Sequence, residues 1–118
     1  MDEIDGLILE AQAASDRFWY VQSLKVSERT DATLTLHLLI SDHLFVQIFF
    51  SNRSQRLSLA LVGPGGRVYG RDREAGVWHM HRFEDADHHH PTPEGMSASV
   101  VAQFLAEVEE ILVNNDLI

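Results

Sequence analysis

The chain has 118 residues, of which 45% are hydrophobic, and its formal net charge is −9. This length predicts a single domain over residues 1–118, because two halves would each be too small to bury a stable core. The chain contains no cysteine, which excludes disulfides and thiol nucleophiles. An acidic N-terminus and the lack of a long apolar run predict a cytoplasmic protein without a secretory leader or membrane span.

The negative charge bears on the class of partner. The chain has 18 acidic residues against nine basic ones, of which Lys25 is the single lysine. A field of this sign repels phosphate backbones, so non-specific nucleic-acid binding is not expected. A basic protein partner fits the charge, and an RNA substrate would require a local pocket of arginine and histidine.

Periodicity predicts helices at both ends of the chain and strands between them. The apolar residues of 3–16 recur at helical spacing, as do those of 97–113, where Val101, Phe104 and Val108 lie on one face. Alternating or aromatic runs predict strands at 18–26, 32–40, 44–50, 57–62, 67–70 and 77–83. The Gly-Pro-Gly-Gly segment at 63–66 predicts a hairpin turn, and residues 84–95 are predicted as loop.

These elements predict an α+β fold. Short turns between successive strands favour an antiparallel meander of five to six strands, with an N-terminal helix and a C-terminal helix packed on one face. In residues 44–50, Phe45 and Phe49 lie on the opposite face from Val46 and Ile48. Two phenylalanines on that second face predict that it is covered by a helix or by another copy of the chain, which favours a homo-oligomer.

The segment Tyr69–Pro93 carries the residues most suited to chemistry, including five of the seven histidines. Within the predicted strand, His79 and His81 are two residues apart and therefore share a face. Two neighbouring imidazoles are suitable ligands for a divalent metal. Asp72, Glu84, Asp85, Asp87 and His88–His90 are available to complete the coordination, and the predicted ligand set is His79, His81, His88 and Asp87.

A metal-free interpretation uses some of the same residues for acid–base catalysis. Histidine transfers protons near neutral pH, arginine stabilises phosphoryl charge, and a carboxylate orients a histidine. Together, His79, His81, Asp72, Arg71 and Arg82 would suffice for ribonuclease-type transfer, in which the 2′-hydroxyl of the substrate attacks, and His79, His81, Asp72 and Arg71 are the predicted catalytic set. A third interpretation is a solvated, non-catalytic surface with a structural or protein-binding role.

Several features of the second half of the chain occur together. They are the aromatic-Gly-x-Asp step Tyr69–Asp72, the segment Trp78–His81 after a short turn with glycine, a further histidine in a proline-rich loop, and a final helix containing FLAEVEEIL. From Leu57 onward, the chain thereby resembles the TumE family of small toxin–antitoxin proteins from bacteria and archaea. The chain has Asp72-Arg73 where the family more usually has Asp-Asn, and a bare His-x-His in place of a longer His-Pro-His-His run.

The resemblance implies a toxin component paired with a separately encoded, DNA-binding antitoxin. It implies no catalytic mechanism that can be assigned residue by residue. The alternatives from the residues therefore stay open: acid–base chemistry on RNA, a histidine-rich module that binds a divalent metal or a protein, or a structural homodimer.

Overall fold

The computed structural model describes residues 2–118, and within this range it has two helices and one antiparallel sheet of seven strands. The elements in chain order are α1 (Glu3–Arg17), β1 (Ser23–Arg29), β2 (Thr33–Leu39), β3 (Phe45–Ser51), β4 (Leu57–Gly63), β5 (Gly66–Glu74), β6 (Val77–Arg82), β7 (Asp85–Pro91) and α2 (Val100–Asn114). The predicted α+β class and both terminal helices are confirmed.

The sheet is the predicted meander with one strand more than predicted. Each strand pairs with its neighbour in the chain, in the order β1-β2-β3-β4-β5-β6-β7. Two-residue turns at Pro64–Gly65 and Ala75–Gly76 join β4 to β5 and β5 to β6. Connections this short permit antiparallel neighbours only, so turn chemistry determines the topology.

The additional strand is β7. The sequence predicts a loop over 84–95, but Asp85–Pro91 pairs with β6. Asp, His and Pro are uncommon in strands, so composition argued for a loop. An edge strand requires hydrogen-bond donors on one side only, and β7 therefore accommodates Pro91.

The first strand begins later than predicted. The sequence predicts strand from Phe18, but Phe18 is the C-cap of α1, Trp19 and Tyr20 form a turn, and β1 starts at Ser23. The ring of Tyr20 is buried, and its hydroxyl donates a 2.6 Å hydrogen bond to the carbonyl of Leu105 in α2. The aromatic residues after α1 therefore connect the two helices instead of extending β1.

The core lies between the helices and one face of the sheet. Alternate residues of β2, β3 and β4 point to this face, where both helices contribute buried side chains such as Ala11, Phe104 and Val108. The buried strand residues are Leu34, Leu36, Leu38, Val46, Ile48, Phe50, Leu57, Leu59 and Leu61. The period-two pattern of the sequence correctly predicts this face.

The opposite face of the sheet, called the open face below, has neither helix on it. Phe45 and Phe49 lie there half-buried, beside Leu39, which is 41% exposed. A helix therefore does not cover these phenylalanines, and their burial by a second copy of the chain stays a prediction. Among the helices of residues 2–118, none is long and apolar enough to cross a membrane.

Candidate functional site

The β5–β6 hairpin brings the predicted aspartate and histidines together on the open face. At its turn, Ala75 has φ 51° and Gly76 has φ 77°, as a two-residue type I′ hairpin requires. This turn sets a register in which Asp72 faces His79 across the strands and Gly70 faces His81. His81 is thus the diagonal neighbour of Asp72.

His81 and Asp72 form a buried pair. Each side chain is 4% exposed, and His81 Nε2 lies 2.9 Å from Asp72 Oδ2. The other ring nitrogen, Nδ1, lies 2.8 Å from the carbonyl oxygen of Ala86 in β7. A carbonyl only accepts hydrogen bonds, so Nδ1 must carry a proton and donate it to Ala86.

With the proton on Nδ1, the Nε2 atom of a neutral His81 has no hydrogen to donate to Asp72. In a neutral imidazole protonated at Nδ1, the Nε2 lone pair would face the Asp72 carboxylate, which also only accepts. A proton shared by the two groups, or a metal ion bound to both, would satisfy His81 Nε2 and Asp72 Oδ2. Among residues 2–118, no donor satisfies Asp72 Oδ1, which is also buried.

Strand β7 adds a third histidine to this face. The ring centroid of His89 lies 4.1 Å from that of His81 and 5.5 Å from that of His79. His89 is exposed, His79 is half-buried and His81 is buried. Asp72, His79, His81 and His89 are called the histidine cluster below. It presents two accessible imidazoles over an internal Asp–His pair.

Arg67 supplies the positive charge of the cluster. Its Nη1 lies 3.6 Å from Asp72 Oδ2. The side chain of Arg67 runs over Gly70, where an added Cβ would lie 3.2 Å from Arg67 Cδ and 3.0 Å from the carbonyl oxygen of Leu59. An alanine at position 70 would therefore press on the Leu59 carbonyl and displace the Arg67 side chain by a few tenths of an ångström.

Arg71, which the sequence predicts as a catalytic residue together with His79, His81 and Asp72, points to the other face of the sheet. Its Nη2 lies 2.7 Å from Glu107 Oε2 and its Nε lies 3.1 Å from Glu107 Oε1. Adjacent strand residues alternate between faces, so Arg71 and Asp72 cannot both reach the cluster. Arg71 fastens α2 to the sheet, and Arg67 takes the position near Asp72.

The structure brings together only two of the four metal ligands predicted from the sequence. His79 and His81 belong to the histidine cluster, but His88 bonds to Asp85, as does His90. Asp87 is exposed and lines a pocket beside Arg67. The structure therefore does not bring His88 and Asp87 together with His81.

A different set has the spacing of metal ligands. Asp72, His81 and His89 each offer one ligand atom, and these three atoms all lie within 4.8 Å of one another. Two imidazoles and a carboxylate form a donor set that suits zinc, nickel, cobalt or ferrous iron.

The environment of the histidine cluster lowers the pKa values of Asp72 and His89. Burial raises the pKa of Asp72, but the nearby Ser58 hydroxyl, the His81 imidazole and the Arg67 guanidinium together hold it below its ordinary value. The Ser58 hydroxyl acts here as a nearby dipole, because it does not have hydrogen-bonding geometry to Asp72 Oδ1. Partial desolvation and the neighbouring His81 lower the pKa of His89. Near neutral pH, the cluster therefore combines an ionised Asp72 with a His89 ring biased towards its neutral form, which has a free lone pair.

Comparisons of the chain with models of known protein families, with curated proteins and with solved structures gave no match. The resemblance to the TumE family therefore stays a prediction.

Arg67, which adjoins the histidine cluster, is not among the catalytic or metal-ligand residues predicted from the sequence, and His89 is named there only within the triplet His88–His90. Arg67 follows a glycine turn and reaches Asp72 only because a register shift between β4 and β5 precedes Tyr69. His89 is the middle member of a histidine triplet predicted as loop. Had 85–91 been interpreted as a strand, alternation would have placed His89 on the face opposite His88 and His90.

Proposed function

We propose that the protein is a TumE-like toxin component of a prokaryotic toxin–antitoxin pair that cleaves RNA by acid–base phosphoryl transfer at the histidine cluster. The observation that supports this most is the pair of accessible imidazoles, His79 and His89, whose ring centroids are 5.5 Å apart beside a buried Asp–His pair.

The reaction has a clear division of roles. One of the two accessible histidines removes the proton of the RNA 2′-hydroxyl, which attacks the adjacent phosphorus, and the other protonates the departing 5′-oxygen. The products are a 2′,3′-cyclic phosphate and a free 5′-hydroxyl. His81 is too deeply buried to contact RNA, so it acts as a positioning residue, held by Asp72 and Ala86, against which His89 packs.

Arg67 provides the charge that phosphoryl transfer requires. Its guanidinium lies on the open face 3.6 Å from Asp72 Oδ2 and would stabilise the negative charge of the phosphorane. A pocket of about 410 Å³ adjoins Arg67 and is lined in part by Val68 and Phe83. Glu84 and Asp87 also line this pocket, so the part of it that suits a nucleobase next to the scissile phosphate is the side formed by Arg67, Val68 and Phe83.

The proposed partner is a basic, DNA-binding antitoxin. A formal charge of −9 favours association with a protein of opposite sign. Such an antitoxin would also neutralise the repulsion between this chain and DNA.

A cleavage assay tests the proposal directly. Purified protein should cut an RNA oligonucleotide to products ending in a 2′,3′-cyclic phosphate, and it should not cut the same oligonucleotide with 2′-deoxyribose at the scissile position. Induced expression should arrest growth. The double variant His79→Ala with His89→Ala should lose both effects, because one removes the acid and the other the base.

His88→Ala is the matched control, because His88 is also exposed on β7 but bonds to Asp85. This variant should cleave RNA and arrest growth like the wild type. Growth arrest by the His79→Ala, His89→Ala protein at unchanged solubility would refute the proposal, as would cleavage of the deoxy-substituted oligonucleotide.

The second candidate function is a structural homodimer, for which Phe45 and Phe49 on the open face are the supporting observation. Their burial against a second copy would remove apolar surface from water. Sedimentation equilibrium should then show a dimer at micromolar concentration, and Phe49→Ser should shift it to monomer. A wild-type monomer at that concentration would exclude this function.

A further inference from the structure

The hydrogen bonding of His81 resembles that of a histidine bound to a metal ion. A histidine that binds a metal through one nitrogen commonly donates its other N–H to a backbone carbonyl, which fixes the tautomer and the direction of the lone pair. His81 Nδ1 makes this contact with Ala86 at 2.8 Å, and Nε2 consequently faces Asp72.

The Asp72 carboxylate also has an oxygen, Oδ1, that is available to bind a metal ion. Oδ2 faces His81, while Oδ1 has no hydrogen-bond partner among residues 2–118 although the side chain is 4% exposed. A buried carboxylate oxygen without a partner is costly. A cation bound by both oxygens of the Asp72 carboxylate and by His81 Nε2 would satisfy Oδ1 and the His81 lone pair together.

From these contacts we infer that Asp72, His81 and His89 form a binding site for one divalent transition-metal ion. This inference concerns metal binding, goes beyond the proposed RNA cleavage and does not depend on it. A proton and a metal are alternative occupants of the gap between His81 Nε2 and Asp72 Oδ2.

The distances fit such an ion. Two ligand atoms at about 2.1 Å from a metal and 2.9 Å from each other subtend about 90° at the ion, the angle between adjacent ligands of an octahedral site. The third ligand, His89, is exposed, so its ring can rotate towards the ion without disturbing the core. Three protein ligands leave further positions for water or substrate.

The donor set determines the class of metal. Imidazole nitrogen suits zinc, cobalt, nickel and ferrous iron, whereas magnesium and calcium prefer all-oxygen sites. The site should therefore select a transition metal over magnesium.

Cobalt titration of the full chain, purified without a histidine tag and stripped with EDTA, tests the inference. Calorimetry and visible absorption should show one equivalent of Co²⁺ bound, displaced by Zn²⁺ and unaffected by millimolar Mg²⁺. His89→Ala should weaken binding on the order of tenfold or more, because it removes a ligand.

His88→Ala supplies the control, because it removes an exposed imidazole from the adjacent position while leaving the three ligands intact. Its affinity for Co²⁺ should match the wild type. Absence of stoichiometric binding to the wild type would overturn the inference, and so would a loss in His88→Ala as large as that in His89→Ala. Neither result depends on RNA cleavage, so failure here is distinguishable from failure of the proposed function.

Discussion

Replacement of Glu107 should destabilise the fold, because this residue joins α2 to the sheet through several partners. Its carboxylate accepts hydrogen bonds from Tyr69 Oη at 2.6 Å, from Arg71 Nη2 at 2.7 Å and Nε at 3.1 Å, and from Gln103 Nε2 at 3.1 Å. Glu107→Ala removes all of these acceptors at once. It leaves Arg71, whose side chain is 8% exposed, as a buried charge without a counterion.

The burial of Arg71 determines how much unfolding free energy the Glu107→Ala variant should lose. Removal of one partner of a buried ion pair costs about 3–5 kcal/mol. The Glu107 side chain is 22% exposed, so water can partly replace it, and the lower end, about 3 kcal/mol, applies. For a domain of this size, each kcal/mol lowers the Tm by about 4 °C, so Glu107→Ala should melt about 12 °C below the wild type.

Urea denaturation followed by circular dichroism measures this loss. Glu110→Ala, an exposed change on the same helix, is the control and should stay within about 0.5 kcal/mol of the wild type. The double variant Glu107→Leu with Arg71→Met should recover much of the loss, because no unpaired charge remains in the core. A loss below about 1 kcal/mol for Glu107→Ala would refute a structural role for the Arg71–Glu107 pair.

Three further predictions concern the histidine cluster. The folded pKa of Asp72 lies below its unfolded value of about 3.9, so its stabilising contribution is present above that value and is lost as the pH falls through the folded pKa. Between about pH 5 and pH 2, the urea midpoint of the wild type should therefore fall more steeply than that of Asp72→Asn, and parallel curves would contradict this. One equivalent of Zn²⁺ should suppress RNA cleavage and EDTA should restore it, because a nitrogen lone pair cannot hold a metal and carry a proton; stimulation by zinc would contradict the metal-free mechanism. Gly70→Ala should reduce cleavage, because the added Cβ presses on Arg67 and the Leu59 carbonyl, whereas Gly6→Ala should not, because no atom of residues 2–118 lies within 4 Å of a Cβ there. Equal cleavage rates for the two variants would show that the position of Arg67 is unimportant.

The parts of the fold that follow from local patterns were predictable from the sequence. Alternation in 32–40 and 44–50 identifies the buried face of β2 and β3, and helical spacing identifies α1 and α2. Glycine and proline mark the turn at 63–66 because few other residues fit it. These signals are strong because each is repeated over several residues or is tied to a specific backbone conformation.

The candidate site was only partly predictable, because it depends on contacts between strands. The shared face of His79 and His81 follows from their spacing, and Asp72 proved to be the cross-strand partner of His79. Arg71 was predicted as a site residue because it adjoins Asp72 in the chain, and Arg67 was not considered. Adjacency in a strand places two side chains on opposite faces, so the nearer residue in sequence was the farther one from the site.

The position of β7 decides which histidine joins His81, and this position is a property of the backbone. The pairing of β6 with β7 shifts between Met80 and Arg82, which leaves extra residues in β7 opposite His81. That shift brings the Ala86 carbonyl to His81 Nδ1 and the His89 ring to the open face. A slip of one residue would exchange His89 with a neighbouring histidine. Because the acceptor at Ala86 belongs to the main chain, no side chain there reveals its role, and the tautomer of His81 is set by a contact that composition and motif cannot show.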